Sequence, residues 1–316
     1  MKDGKMDRPT SGAGSRLMTG SIRIFLADAL ILPTGFITAV FLARKLGPAD
    51  YGLFALVSML VLWIEWGSTT LFSHTTVKFV GEAKDWEPVG TTVIQLHLVV
   101  GIGLAILVWF LSSPLSRLFN EPAMANHLRL YAVDIPIFGL ACANSNILVG
   151  RGYFKERARI SAGRRIARLV LIVLFVEMGL SVTGAVMGMI GASVVEFIIS
   201  RFYVRPSLFS RATFPVRHLV GFAAPLFLSA LSLSIIKLDL FALKVLGGTA
   251  ALAGIYGAAR NLSLPLGMLS GSLSPPLLST LSHLLSEGDE PGAKEIGLNA
   301  LRSVMWLVPF AAMTAG

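Results

Sequence analysis

Apolar runs of membrane-spanning length follow one another through nearly the whole sequence. They are Ile24–Ala43, Tyr51–Phe72, Val89–Leu111, Leu130–Val149, Ile166–Thr183, Gly184–Ser200, Leu219–Leu243 and Ala251–Leu273, and a ninth begins near Val304. About 20 residues at 1.5 Å each cross the hydrocarbon core. Backbone in lipid must satisfy its own hydrogen bonds, so each run predicts a transmembrane helix. No period-two alternation points to barrel strands. The chain therefore reads as an all-α polytopic membrane protein. Its composition agrees: 54% of residues are hydrophobic, only 14% are charged and the mean hydropathy is +0.72. A soluble domain is nearer a quarter charged.

The formal charge of +9 would suit a nucleic-acid binder if it formed one patch, but it is distributed by side. With the N-terminus in the cytoplasm, most Lys and Arg fall in inside segments. The outside loops keep only Arg44, Lys45, Arg117, Arg129 and Lys244, while Lys237 and Arg260 fall within spans. This bias predicts the N-in orientation. It also makes the basic segment 151–168 a topological anchor near anionic lipid, with no nucleic-acid role. Residues 1–22 read as a polar cytoplasmic leader, not a cleaved signal peptide. Cys142, the single cysteine, permits no intramolecular disulfide and reads as a packing residue.

An internal repeat divides the spans. Phe41, Arg44, Leu46 and Gly47 recur as Phe241, Lys244, Leu246 and Gly247, and Tyr51-Gly52 recurs as Tyr256-Gly257. The repeat predicts two lobes in parallel orientation: an N-lobe of six helices over 23–204, a cytoplasmic linker over 205–218 and a C-lobe over 219–316. The second lobe holds two helices and the start of a third, so the six-plus-six plan is expected to be truncated in its ninth helix. The chain is expected to be a fragment, a truncated reading frame or a clipped product.

Ionisable residues inside spans are costly and are the first functional candidates. Asp28, Glu65, Asp134 and Asp239 are candidates for ion coupling or for lining a cavity. Lys237 and Asp239 share a helix but, two residues apart, point to different faces. Arg260 needs a partner, for which Asp239 or Asp28 would serve, and an ion pair that merely locks two helices is an equally good account. Glu177 and Glu196 sit near helix ends within reach of water, and His97 reads as a hydrogen-bonded packing residue. Helix interruptions are expected at Pro33-Thr34-Gly35 and at Asp134-Ile135-Pro136. No P-loop, Gly-x-Ser-x-Gly elbow, His-Glu-x-x-His or acidic Mg²⁺ cluster occurs, so an enzyme is not expected, nor is a cofactor or metal.

The stretch Leu42-Ala-Arg-Lys-Leu-Gly-Pro-Ala-Asp-Tyr-Gly52 resembles the first loop of the polysaccharide (O-antigen, Wzx-type) flippases. These belong to the multidrug/oligosaccharidyl-lipid/polysaccharide exporter superfamily. Asp239, Leu246-Gly247, Ile255-Tyr256-Gly257 and Leu285–Asp289 are similar to that family's second-half pattern. The resemblance implies two six-helix lobes around a cavity in the bacterial cytoplasmic membrane. It also implies alternating access and the flipping of a polyprenyl-diphosphate-linked oligosaccharide, with membrane lipid, a polysaccharide polymerase and glycosyltransferases as possible partners. Basic residues available to hold a diphosphate are Arg44, Lys237, Lys244 and Arg260, with Arg44 and Lys244 expected to face each other across the outer mouth. Three competing expectations are a cation-coupled multidrug exporter of the same superfamily, a major-facilitator carrier and a non-transporting membrane remnant. In the second, Gly81-Glu82-Ala83-Lys84-Asp85 fits only the opening of the loop signature, and Trp86, Pro88 and Val89 break it.

Overall fold

The computed structural model describes residues 26–206, 214–234, 239–259, 290–292, 294 and 298. The described residues are almost entirely helical, without strands. Element α1 runs Ile31–Glu82 and is broken at Gly47, α2 is Glu87–Leu118, α3 Met124–Ala132 and α4 Asp134–Gly150. Then come α5, Phe154–Phe175, a π-helical turn at Val176–Leu180, and α6, Ser181–Tyr203. The remaining elements are α7, Val216–Ser234, α8, Asp239–Val245, and α9, Ala250–Ala259. Among the described residues, four stretches are long and apolar enough to cross a membrane: Leu26–Glu82, Glu87–Leu118, Met124–Gly150 and Phe154–Tyr203. The chain divides into two compact units, Met1–Gly254 and Ile255–Gly316. In the second unit, the described residues are helical where they fall at 255–259, 290–292, 294 and 298.

The first stretch is a hairpin, and its contacts show the reversal. Lys45 meets Glu177 and Asp50 meets Ser181 near the break at Gly47. Away from that end, Asp28 on the outgoing arm meets Arg165, and Gly81 on the returning arm packs on Gly150. Gly47 makes the turn with φ of 75°, which an L side chain rarely adopts, and Pro48 follows in the first turn of the return arm, where its missing N–H costs nothing. Its repeat counterpart Gly247 has φ of 100°. The two copies of the repeat thus share a left-handed glycine. They also meet: a Cβ on Gly52 would overlap the backbone of Ala250, so the returning arm packs against the start of α9 without an intervening side chain.

The second hairpin, α5 with α6, turns at Gly179 and Ser181, where both residues have positive φ. Gly184 and Gly188 lie one helical turn apart on α6, and a Cβ on either would crowd Phe175 or Ile172. Small residues at that spacing let two membrane helices approach closely. Between α3 and α4, Pro136 supplies no N–H to the carbonyl one turn back, which accounts for the interruption at Val133. In α1 the interruption falls at Leu30, so that Pro33 occupies the first turn of the resumed helix and Gly35 lies within it.

At the end of the bundle away from Gly47, Val80, Val93, Ile94, Ile147, Leu148, Ile160 and Leu219 form a buried core. There Lys78 Nζ lies 4.0 Å from the ring centre of Phe222 on α7. Val99, Ile106 and Phe110 on α2 and Ile166, Val170 and Leu174 on α5 are exposed. Spaced at helical intervals, they form the apolar stripes that a bilayer would cover.

Candidate functional site

Helix α5 corrects the sequence reading of the basic segment. Residues 154–165 were expected in a loop, but the helix begins at Phe154 and carries Arg164, Arg165 and Arg168 into the bundle. Hydropathy averaging fails here because the arginines and the lipid-facing residues share the helix on different faces. Ile166, Val170 and Leu174 face outward, while Ile160, Ser161 and Ile172 are buried. Arg164 and Arg168, four residues apart, extend the inward stripe.

Arg164 is surrounded by acid. Its Nε lies 3.2 Å from Oε2 of Glu196, whose side chain is only 4% exposed, and its guanidinium stacks 4.1 Å from the ring centre of Phe138. Glu196 was expected to reach water from a helix end; α6 instead continues to Tyr203 and buries it. Glu65, from the returning arm of α1, and Asp134, at the start of α4, are both fully buried in the same cluster. Asp134 Oδ2 accepts a hydrogen bond from Ser193 at 3.1 Å, in the first turn of α4, where the helix dipole favours a carboxylate. The Glu65 carboxyl faces that of Asp134, and neither Glu65 oxygen accepts a hydrogen bond from the described residues.

One residue further along α5 the surroundings change. Arg165 Nη2 donates to Asp28 Oδ1 at 2.8 Å, and the Asp28 side chain is 36% exposed. Arg168, three residues on, forms no ion pair among the described residues, and its Nε has no hydrogen-bond partner among them. Arg165 and Arg168 line one small cavity with Ile31, Thr34, Gly35 and Thr38 of the outgoing arm. Thr34 and Thr38 turn their hydroxyls back to the carbonyls of Leu30 and Thr34, and a Cβ added at Gly35 would meet nothing. The cavity therefore has one cationic wall, from α5, and one uncharged wall, from the outgoing arm of α1.

Of the predicted ion-coupling residues, Glu65 and Asp134 are brought together, while Asp28 lies apart on Arg165. Arg44 is exposed. Lys244 is buried and bonded to Glu121 Oε1 at 2.7 Å, beside a Phe119–Phe241 ring contact, and no contact with Arg44 is present among the described residues. Lys237 and Arg260 lie outside the described residues, and for Asp239 only the backbone position at the start of α8 is described. His97 is buried, with Nδ1 2.9 Å from the Val93 carbonyl and its ring against Phe72. Glu177 makes an exposed pair with Lys45.

A family model described as polysaccharide biosynthesis protein matches residues 41–315. The chain belongs to that family. Its fold is similar to that of several solved structures. The MATE multidrug transporter DinF-BH is 16% identical over 98% of this chain and 73% of its own, with a TM-score of 0.67. A multidrug resistance MATE family transporter of the MOP superfamily in an inward-facing conformation is 18% identical over 90% and 72%, and one in an outward-facing conformation is 16% identical over 95% and 74%. Both have a TM-score of 0.67. No curated protein sequence matches significantly. This member of the polysaccharide biosynthesis family is thus a multi-pass membrane protein whose fold is similar to that of MATE transporters.

Proposed function

We propose that the protein carries a polyprenyl-diphosphate-linked oligosaccharide across the bacterial cytoplasmic membrane by alternating access, for polysaccharide assembly. The N-terminus and the Arg151 end of the bundle face the cytoplasm, and the Gly47 end faces outward. The observation that carries this reading is the pairing of Arg165 and Arg168 on one cavity, with Arg168 unpaired among the described residues. Arg168 lies 14 residues into α5, about 21 Å from its start at 1.5 Å per residue, near the middle of a membrane-spanning helix. A guanidinium there is costly unless an anion or water accompanies it. Two guanidiniums present paired N–H donors that match the oxygens of a diphosphate, and Arg does this better than Lys because its fork is planar. The polyprenyl tail would stay in lipid and the sugar would occupy the aqueous path. Arg44, Lys237, Lys244 and Arg260 remain proposals for further contacts along that path. The Glu65–Asp134 pair is the candidate for ion coupling, because one cation or proton changes the charge of a buried acidic cluster.

A cation-coupled multidrug exporter is the second reading, favoured by the fold shared with multidrug transporters. It fits the cavity less well, since Arg165 and Arg168 repel a cationic cargo. Reconstituted vesicles offered either a diphosphate-linked sugar lipid or a lipophilic cationic dye separate the two. Movement of the lipid is expected; movement of the dye alone would sink the flippase reading.

A further inference from the structure

Asp28 holds Arg165 differently from the way Glu196 holds Arg164. The Asp28 contact uses one N–H of the guanidinium, and Arg165 Nε has no partner among the described residues. The Asp28 side chain is 36% exposed, against 4% for Glu196, so its pairing with Arg165 is more screened by water and weaker.

We infer that Asp28 is a resident counter-anion of the Arg165–Arg168 cavity, exchanged for the phosphate of an incoming ligand, and that this exchange selects diphosphate lipids over the monoanionic phosphodiester lipids of the surrounding bilayer. The inference rests on the diphosphate reading above. A cationic site in a membrane protein has a large excess of singly charged headgroups as competitors. A phosphodiester brings one negative charge and displaces one, so the exchange gains little. A diphosphate brings more than one charge and more oxygens, and it can engage Arg168 while it replaces Asp28 on Arg165. Asp28 thus lowers affinity for every anion but lowers it most, relative to what is gained, for the monoanion.

The test uses the full chain in detergent, with polyprenyl diphosphate and phosphatidylglycerol as competing probes, and bound lipid counted by native mass spectrometry. Asp28→Asn is expected to raise phosphatidylglycerol binding about tenfold and diphosphate binding less, so that the selectivity ratio falls. Asp28→Ser, a second neutral variant, should do the same, and Asp28→Glu should keep the ratio near that of the parent. An unchanged ratio in both neutral variants, with diphosphate binding still lost in Arg168→Gln, would overturn the role of Asp28 and leave the diphosphate reading standing. Parent-like diphosphate binding by the Arg165→Gln/Arg168→Gln double variant would overturn both.

Discussion

Arg164 and Arg165 are neighbours in sequence, yet they lie in different parts of the molecule. A helix turns about 100° per residue, so one step along α5 moves a guanidinium from the Glu196 side to the cavity lined by the outgoing arm of α1, at nearly the same exposure. Arg164 is committed to Glu196 and to the field of Glu65 and Asp134, and it stacks on Phe138. Arg165 has one carboxylate partner that is partly in water, and Arg168 on the same cavity has none among the described residues. Identical chemistry therefore serves two purposes. The interior arginine balances buried acid and positions three helices, while the cavity arginines are available to a ligand. Charge count within a segment does not separate these roles. The face of the helix does.

The contrast can be broken most forcefully at Arg164. Arg164→Leu leaves the carboxyls of Glu196, Glu65 and Asp134 without their guanidinium, and stability should fall by about 3–5 kcal/mol, read as loss of monodisperse protein or a much lower melting temperature. Glu196→Gln removes one charge but keeps a hydrogen-bonding side chain, and Arg164 retains its other acidic neighbours, so a loss of about 1–3 kcal/mol is expected in the same melting assay. Arg168→Gln should do the reverse: melting near that of the parent and transport of diphosphate-linked lipid reduced about tenfold, the equivalent of one charge-assisted contact of about 1.4 kcal/mol. The smallest effect belongs to Lys45→Ala. That pair with Glu177 is close to half exposed on both sides, so screening should hold its loss below about 1 kcal/mol, with transport unchanged.

Much of the scaffold was legible in the sequence because bilayer thickness sets helix length and Gly47-Pro48 sets the first reversal. The six apolar runs up to Ser200 correspond to helical stretches where their residues are described. The site was legible only in part. Glu65 and Asp134 could be singled out as charges within spans, but their meeting depends on how α1 packs against α4, which no local pattern encodes. Arg164, Arg165 and Arg168 were assigned to an anchor because their charge hid the first half of α5 from any hydropathy average. A periodic signal was available in the stripe Ile166, Val170 and Leu174, offset from Arg164 and Arg168. Lys244 was read as a candidate ligand contact, and only the three-dimensional arrangement brings it to Glu121.

The central claim is that Arg165 and Arg168 hold a diphosphate in transit while Arg164 holds the protein together. Translocation of a fluorescent polyprenyl-diphosphate-linked sugar in proteoliposomes, measured for Arg168→Gln beside the parent at matched folded content, tests it most directly. The account predicts a rate about tenfold lower with an unchanged melting temperature. A parent-like rate, or a loss of rate explained entirely by loss of folded protein, would contradict it.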